Sequence, residues 1–104
     1  MLDWYEHLYV SKEMKKREKR VRMLIDRGRD VPGVYLLTLS GHPDNVLEMI
    51  RASFLTQKAL HRQCPRVVGM ASGRDNALAL LVQIVEETFE NTGNFRVEEY
   101  LRDR

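Results

Sequence analysis

Two apolar runs, Val34 to Leu39 and Val67 to Ala71, are each preceded by a proline (Pro32, Pro65) and each closed by Ser-Gly (Ser40-Gly41, Ser72-Gly73). Continuous apolar character over such a length suits a strand covered on both faces, and the bordering proline and glycine stop it from extending. After each Ser-Gly the chain reaches Asp-Asn (Asp44-Asn45, Asp75-Asn76) and then a stretch whose apolar residues recur at helical spacing. The sequence therefore reads as two strand–turn–helix units, with parallel strands 34–39 and 67–71, in a small α/β domain. The echo is suggestive of duplication only, because strand-to-helix turns draw on a small set of residues.

The rest of the chain is placed around these units. Val10, Met14, Val21, Leu24 and Ile25 predict a basic helix over 11–27, capped by Ser11 and ended by Gly28. A second helix is expected from about Asp44 to about Leu60, with Val46, Leu47, Ile50 and Phe54 on one stripe. A third runs from about Asp75 to about Asn91, one face carrying Leu78, Leu81, Val82, Val85 and Phe89, with Leu80 and Ile84 widening the apolar arc beyond what one contact needs, so that it is either central or at a subunit interface. Phe95 to Leu101 forms a short closing helix. Residues 1–10 are an arm rich in aromatics (Trp4, Tyr5, Tyr9), and at 104 residues the whole chain, 1–104, fits one domain. Two strands make a thin sheet. Either the N-terminal arm or strands of a second subunit would widen it, and a homodimer is the expected state.

Composition narrows the function classes. Cys64 is the only cysteine and the three histidines are scattered, so neither a disulfide nor a metal site is expected, and no cofactor motif is present. No apolar run approaches the ~20 residues that span a bilayer, and the first residues lack the layout of a secretory signal. A cytoplasmic protein without membrane contact is the expectation. Between Ser11 and Arg29 nine basic residues stand against three acidic ones, a local charge of +6 in a chain whose total is +2, which leaves −4 for the remainder.

In an open parallel sheet, ligands bind beyond the carboxyl ends of the strands, at helix N-termini. That rule nominates Ser40, Gly41, His42, Asp44, Ser72, Gly73, Arg74 and Asp75 as a small-molecule crevice, and a binding or regulatory module as the leading function. The aspartates occupy the place a phosphate would take and so favour a neutral, hydroxyl-rich or cationic ligand. Ser72-x-x-Asp75 is also a capping-box pattern and Pro43 suits a first helical position, which accounts for both turns without any ligand. Neither turn has the glycine spacing of a dinucleotide or P-loop site. The alternative is nucleic-acid or acidic-partner binding by the basic helix 12–29, through Lys12, Lys15, Lys16, Lys19 and Arg20. A third reading, a hydrolase-like enzyme using Ser40 or Ser72 with His42, lacks a marked acid orienter, so no catalytic residue is assigned. Cys64 and His42 would lie at opposite edges of parallel strands, roughly 20 Å apart, too far to act together.

Tyr35 to Leu39, Val68 to Gly73 and Glu86 to Gly93, read together, resemble a small family of bacterial α/β proteins of unknown function from Gram-positive bacteria. The likeness runs from Leu8 to Leu101 and includes a closing Val-x-x-Tyr-Leu, here Val97 to Leu101. It implies the α/β architecture and a cytosolic bacterial setting, and it carries over no activity, ligand or site residue.

Overall fold

The computed structural model describes residues 2–40 and 46–104. Its elements are strand β1 (Trp4–Val10), a 3-10 helix (Lys12–Arg17) running into α1 (Glu18–Asp26), β2 (Val34–Leu39), β3 (Leu47–Arg51), a second 3-10 helix (Ala52–Thr56), α2 (Lys58–Arg62), β4 (Val67–Ser72), α3 (Arg74–Thr92) and α4 (Val97–Asp103). The four strands form one mixed sheet in the order β1-β4-β2-β3. The α/β class and both expected strands are present, and the N-terminal arm does widen the sheet.

The strand directions differ from expectation. β2 and β4 pair antiparallel, with Val34 opposite Ser72 and Leu36 opposite Met70, whereas β1 and β4 are parallel. The cause lies in residues 47–51, which form a strand and not the start of a long helix. Leu47-Glu48-Met49-Ile50 satisfies a period of two as well as it satisfies a helical stripe, and a short connection from β2 makes β3 its antiparallel neighbour, with Leu39 opposite Leu47 and Leu37 opposite Met49. One added strand reverses the chain once more, so β4 arrives antiparallel to β2. Between Leu37 and Thr38 the β2–β4 register slips by one residue, because Leu37 faces Gly69 and Thr38 faces Val67, leaving Val68 as a bulge.

The sheet is covered on both faces. On one, Leu36, Val67 and Met70 pack with Met14, Val21 and Ile25 of the basic segment and with Ala52 and Leu55. On the other, Leu37, Val68 and Ala71 meet Ala77, Leu80 and Ile84 of α3 and Val97 and Leu101 of α4. The side of α3 that packs is thus Ala77, Leu80, Ile84 and Thr88, and the expected apolar face is divided: Leu81 and Val85 pack against the core, while Leu78, Val82 and Phe89 are 44–49% exposed. The small Ala77 and the side chain of Thr88, whose hydroxyl donates to Ile84 O at 2.8 Å, let the helix lie close to the sheet.

Two predicted caps are replaced by other contacts. Ser11 does not cap the basic helix: its Oγ accepts from the Ser72 N–H at 3.3 Å, and its own N–H donates to Met70 O. The Ser72–Asp75 box is not formed either, since α3 begins after Gly73, whose φ of +82° suits glycine and whose N–H donates to Gly33 O at 2.7 Å. Asp75 remains in the first turn, where the helix dipole favours it. The arm is tied down by Asp26, whose Oδ1 accepts from Leu2 N and Trp4 Nε1, both at 2.8 Å.

Candidate functional site

Antiparallel pairing separates the two Ser-Gly turns. Ser72 lies beside Val34, at the start of β2, and Ser40 follows the end of β2, so about six residues of strand, roughly 20 Å, part them. Ser40 and Ser72 therefore do not share a crevice. Gly41, His42 and Asp44 lie outside the described residues. Gly73, Arg74 and Asp75 stay with Ser72 at the far edge. The hydrolase-like pairing of Ser40 or Ser72 with His42 turns on a residue outside the described ones. The same reversal withdraws the reason for parting Cys64 from the end of β2, because Leu39 N donates to Arg66 O at 3.0 Å and the β4 entrance therefore sits beside Ser40.

What Ser40 does line is a cleft of about 590 Å³ at this end of the sheet, shared with Asp3, Tyr5, Arg66, Glu98 and Arg102. Four segments build it. Val67 N donates to Asp3 O at 2.8 Å, which brings the start of β1 against the start of β4, and Arg66 Nε donates to Asp3 Oδ2 at 3.1 Å across the same junction. Tyr5 is buried, and its hydroxyl donates to Leu101 O at 2.9 Å, fixing α4 as the opposite wall. Ser40 Oγ donates to Glu48 Oε1 at 3.2 Å. Glu98 and Arg102 stand one helical turn apart on α4 and line the cleft, yet no ion pair among the described residues joins them. The cleft thus offers a guanidinium, a carboxylate, a tethered Arg66 and a serine hydroxyl around a half-open volume.

Sequence reasoning missed Asp3, Arg66, Glu98 and Arg102, which are ordinary charged residues far apart in the chain. The only local signal was Arg66, standing between Pro65 and an apolar strand.

The basic segment is arranged differently from a helix charged on all sides. Met14, Val21 and Ile25 are buried, and Lys12, Lys15, Lys16, Lys19 and Arg20 are all exposed on the outer surface. Arg22 is held by Glu18 at 3.1 Å and lies 5.0 Å from the centre of the Trp4 ring. Trp4 and Tyr9 are both engaged in the fold and do not form a stacking platform. On the opposite face Tyr9 donates its hydroxyl to the Glu87 carboxylate and accepts from Arg104 Nη1 at 2.7 Å. Burial, and then the Glu87 carboxylate, push the Tyr9 phenol above its ordinary range. Burial also raises the Cys64 thiol, keeping it protonated and a poor nucleophile.

Among the described residues no group of three or more His, Cys, Asp and Glu is placed to hold a metal ion, and no helix is long and apolar enough to cross a membrane. No family model matches the chain, and neither the curated proteins nor the solved structures compared with it show a significant match.

Proposed function

We propose that the protein is a small-molecule-binding module whose site is the cleft between the end of β2 and α4, and that its ligand is a small polar molecule bearing both an anionic and a cationic group. The observation that carries this reading is Glu98 and Arg102, unpaired among the described residues, on one wall of a cleft of about 590 Å³ that also holds Ser40 and the Asp3–Arg66 pair. An i, i+4 Glu–Arg couple on a helix gains only about 0.2–0.5 kcal/mol by closing on itself, so a guest can hold it open at little cost. Left open, it presents both signs of charge to one guest, and cavities of this size accommodate molecules of metabolite dimensions. Thermal unfolding of the purified protein with a panel of free amino acids, small carboxylates and small amines tests it. A zwitterion should raise the midpoint, and Arg102→Ala and Ser40→Ala should abolish the rise while Ser72→Ala leaves it intact. A rise that persists in Arg102→Ala, or a panel without effect, rejects the reading.

The basic surface supports a second reading, polyanion binding, because burial of Met14, Val21 and Ile25 turns Lys12, Lys15, Lys16, Lys19 and Arg20 to the outside. Binding of duplex or single-stranded nucleic acid that weakens steeply with salt, and weakens further when these five become glutamine, is the expected result. Salt-insensitive or absent binding rejects it.

Self-association we assign to the outer stripe of α3. A second copy seated on this face would cover Leu78, Val82 and Phe89, which are otherwise exposed.

A further inference from the structure

A smaller cavity of about 240 Å³ lies at the same end of the sheet but on its other face, under the segment that crosses from β3 to β4. Ile50, Phe54 and Leu60 form its apolar walls, with Thr38, Cys64 and Glu48 also lining it. Thr38 is 1% exposed, and its Oγ1 makes no hydrogen bond among the described residues. A buried hydroxyl without a partner is costly to keep, and nearly all such groups in folded proteins are paired. At the mouth, Phe54 and Leu60 remain 48% and 42% exposed, large apolar surfaces that an occupant would cover.

We propose that this cavity is a second binding site, for a small, uncharged, largely apolar molecule carrying one hydroxyl or amide group that pairs with Thr38 Oγ1. Each part of that description has its own source. The volume exceeds that of a cavity able to hold a benzene ring, about 150 Å³, and so admits a single substituted ring or a short branched chain. Ile50, Phe54 and Leu60 select apolar surface. Thr38 lines the floor, and a turn about its Cα–Cβ bond brings the closed-off hydroxyl to a guest for one hydrogen bond. The Glu48 carboxylate opposes an anionic guest, and the protonated Cys64 thiol adds no charge to attract one. The site stands on the face opposite the Ser40–Arg102 cleft and does not depend on the reading given for that cleft.

Cys64 provides the assay, because it is the chain's only cysteine and lines the cavity. Its rate of modification by a small aromatic disulfide is followed with para-cresol, toluene or benzoate present, together with the methyl NMR signals of Ile50 and Leu60. Para-cresol should slow the modification, shift both methyl signals, and bind about fivefold more tightly than toluene, the increment of one hydrogen bond. Benzoate should bind more weakly than either. Thr38→Val should retain toluene binding and erase the advantage of para-cresol. The proposal is overturned if neither neutral probe protects Cys64 or moves the Ile50 signal, if benzoate binds best, or if para-cresol keeps its advantage in Thr38→Val. The comparison of the two neutral probes on the unaltered protein stands whether or not the variant folds.

Discussion

Replacing Thr38 by valine should make the protein more stable. Valine keeps the branched shape at Cβ and suits a strand at least as well as threonine, so the packing around position 38 is preserved while the hydroxyl is removed. An unpartnered buried hydroxyl costs about 1–3 kcal/mol, and Thr38 Oγ1 has no hydrogen bond at 1% exposure, so most of that cost should be recovered, giving a gain of about 1–2 kcal/mol. With an unfolding entropy of about 2.1 cal/mol/K per residue, a chain of 104 residues loses or gains roughly 5 °C per kcal/mol. The expected rise in Tm is therefore about 5–9 °C, measured by circular dichroism or calorimetry, with an unchanged denaturant slope. Thr38→Ser is the control: it keeps the hydroxyl and gives up the methyl, and should lose about 1 kcal/mol. A Thr38→Val protein that melts at or below the original temperature would mean that the hydroxyl is satisfied, and the reasoning would fail.

Four further outcomes are expected. Gly69→Ala places a methyl 3.0 Å from Leu37 Cδ1 and 3.3 Å from Leu37 Cβ, in a side chain with no exposure, so overpacking should outweigh the entropic benefit of alanine by about 1 kcal/mol, read as a Tm lowered by roughly 5 °C. Asp26→Ala strips the acceptor from Leu2 N and Trp4 Nε1 and should cost about 1–3 kcal/mol, with a red shift in the emission of Trp4, the chain's only tryptophan. The Tyr9 phenol is raised above its unfolded value of 10.0, so the native state holds its proton longer than the unfolded chain does; stability present below pH ~10 should drain away as the pH rises beyond it, with a shallower fall in Tyr9→Phe by alkaline titration of unfolding. Val82→Asp should leave the monomer folded, because Val82 is exposed, and abolish any dimer seen by sedimentation.

How much of this was legible depended on whether a stretch had one physical solution or two. β2 and β4 did: Val34 to Leu39 and Val67 to Ala71 are too apolar for anything but a doubly covered strand, and the third helix was placed to within a residue at each end, Asp75–Asn91 against Arg74–Thr92. Leu47 to Ile50 had two, since its apolar residues fit both periodicities, and the choice was made by pairing with β2, a contact no local pattern encodes. α3 also had two, because both its flanks are apolar; proximity to the sheet selected the flank with Ala77, which the larger side chains of the other flank could not match. The cleft was illegible for a different reason. Asp3, Ser40, Arg66 and Arg102 are brought together by sheet order, and the antiparallel sense that assembles them followed from the strand that was missed. Thr38, by contrast, is the one aliphatic hydroxyl in an otherwise largely apolar run, and only the absence of a partner among the described residues gives it meaning.

The Ser40–Glu48 hydrogen bond spans from one recess to the other, since Ser40 lines the cleft and Glu48 the cavity beneath the crossover. If both recesses take guests, an occupant that turns the Glu48 carboxylate would loosen one of the contacts of the serine hydroxyl, and a guest that draws on the serine would loosen the carboxylate. Thermodynamic linkage makes such an exchange symmetrical, so that whatever factor the first guest imposes on the affinity of the second, the second imposes on the first. The 3.2 Å contact is thus one link by which two chemically unlike molecules, one charged and one apolar, would sense each other through a single layer of backbone.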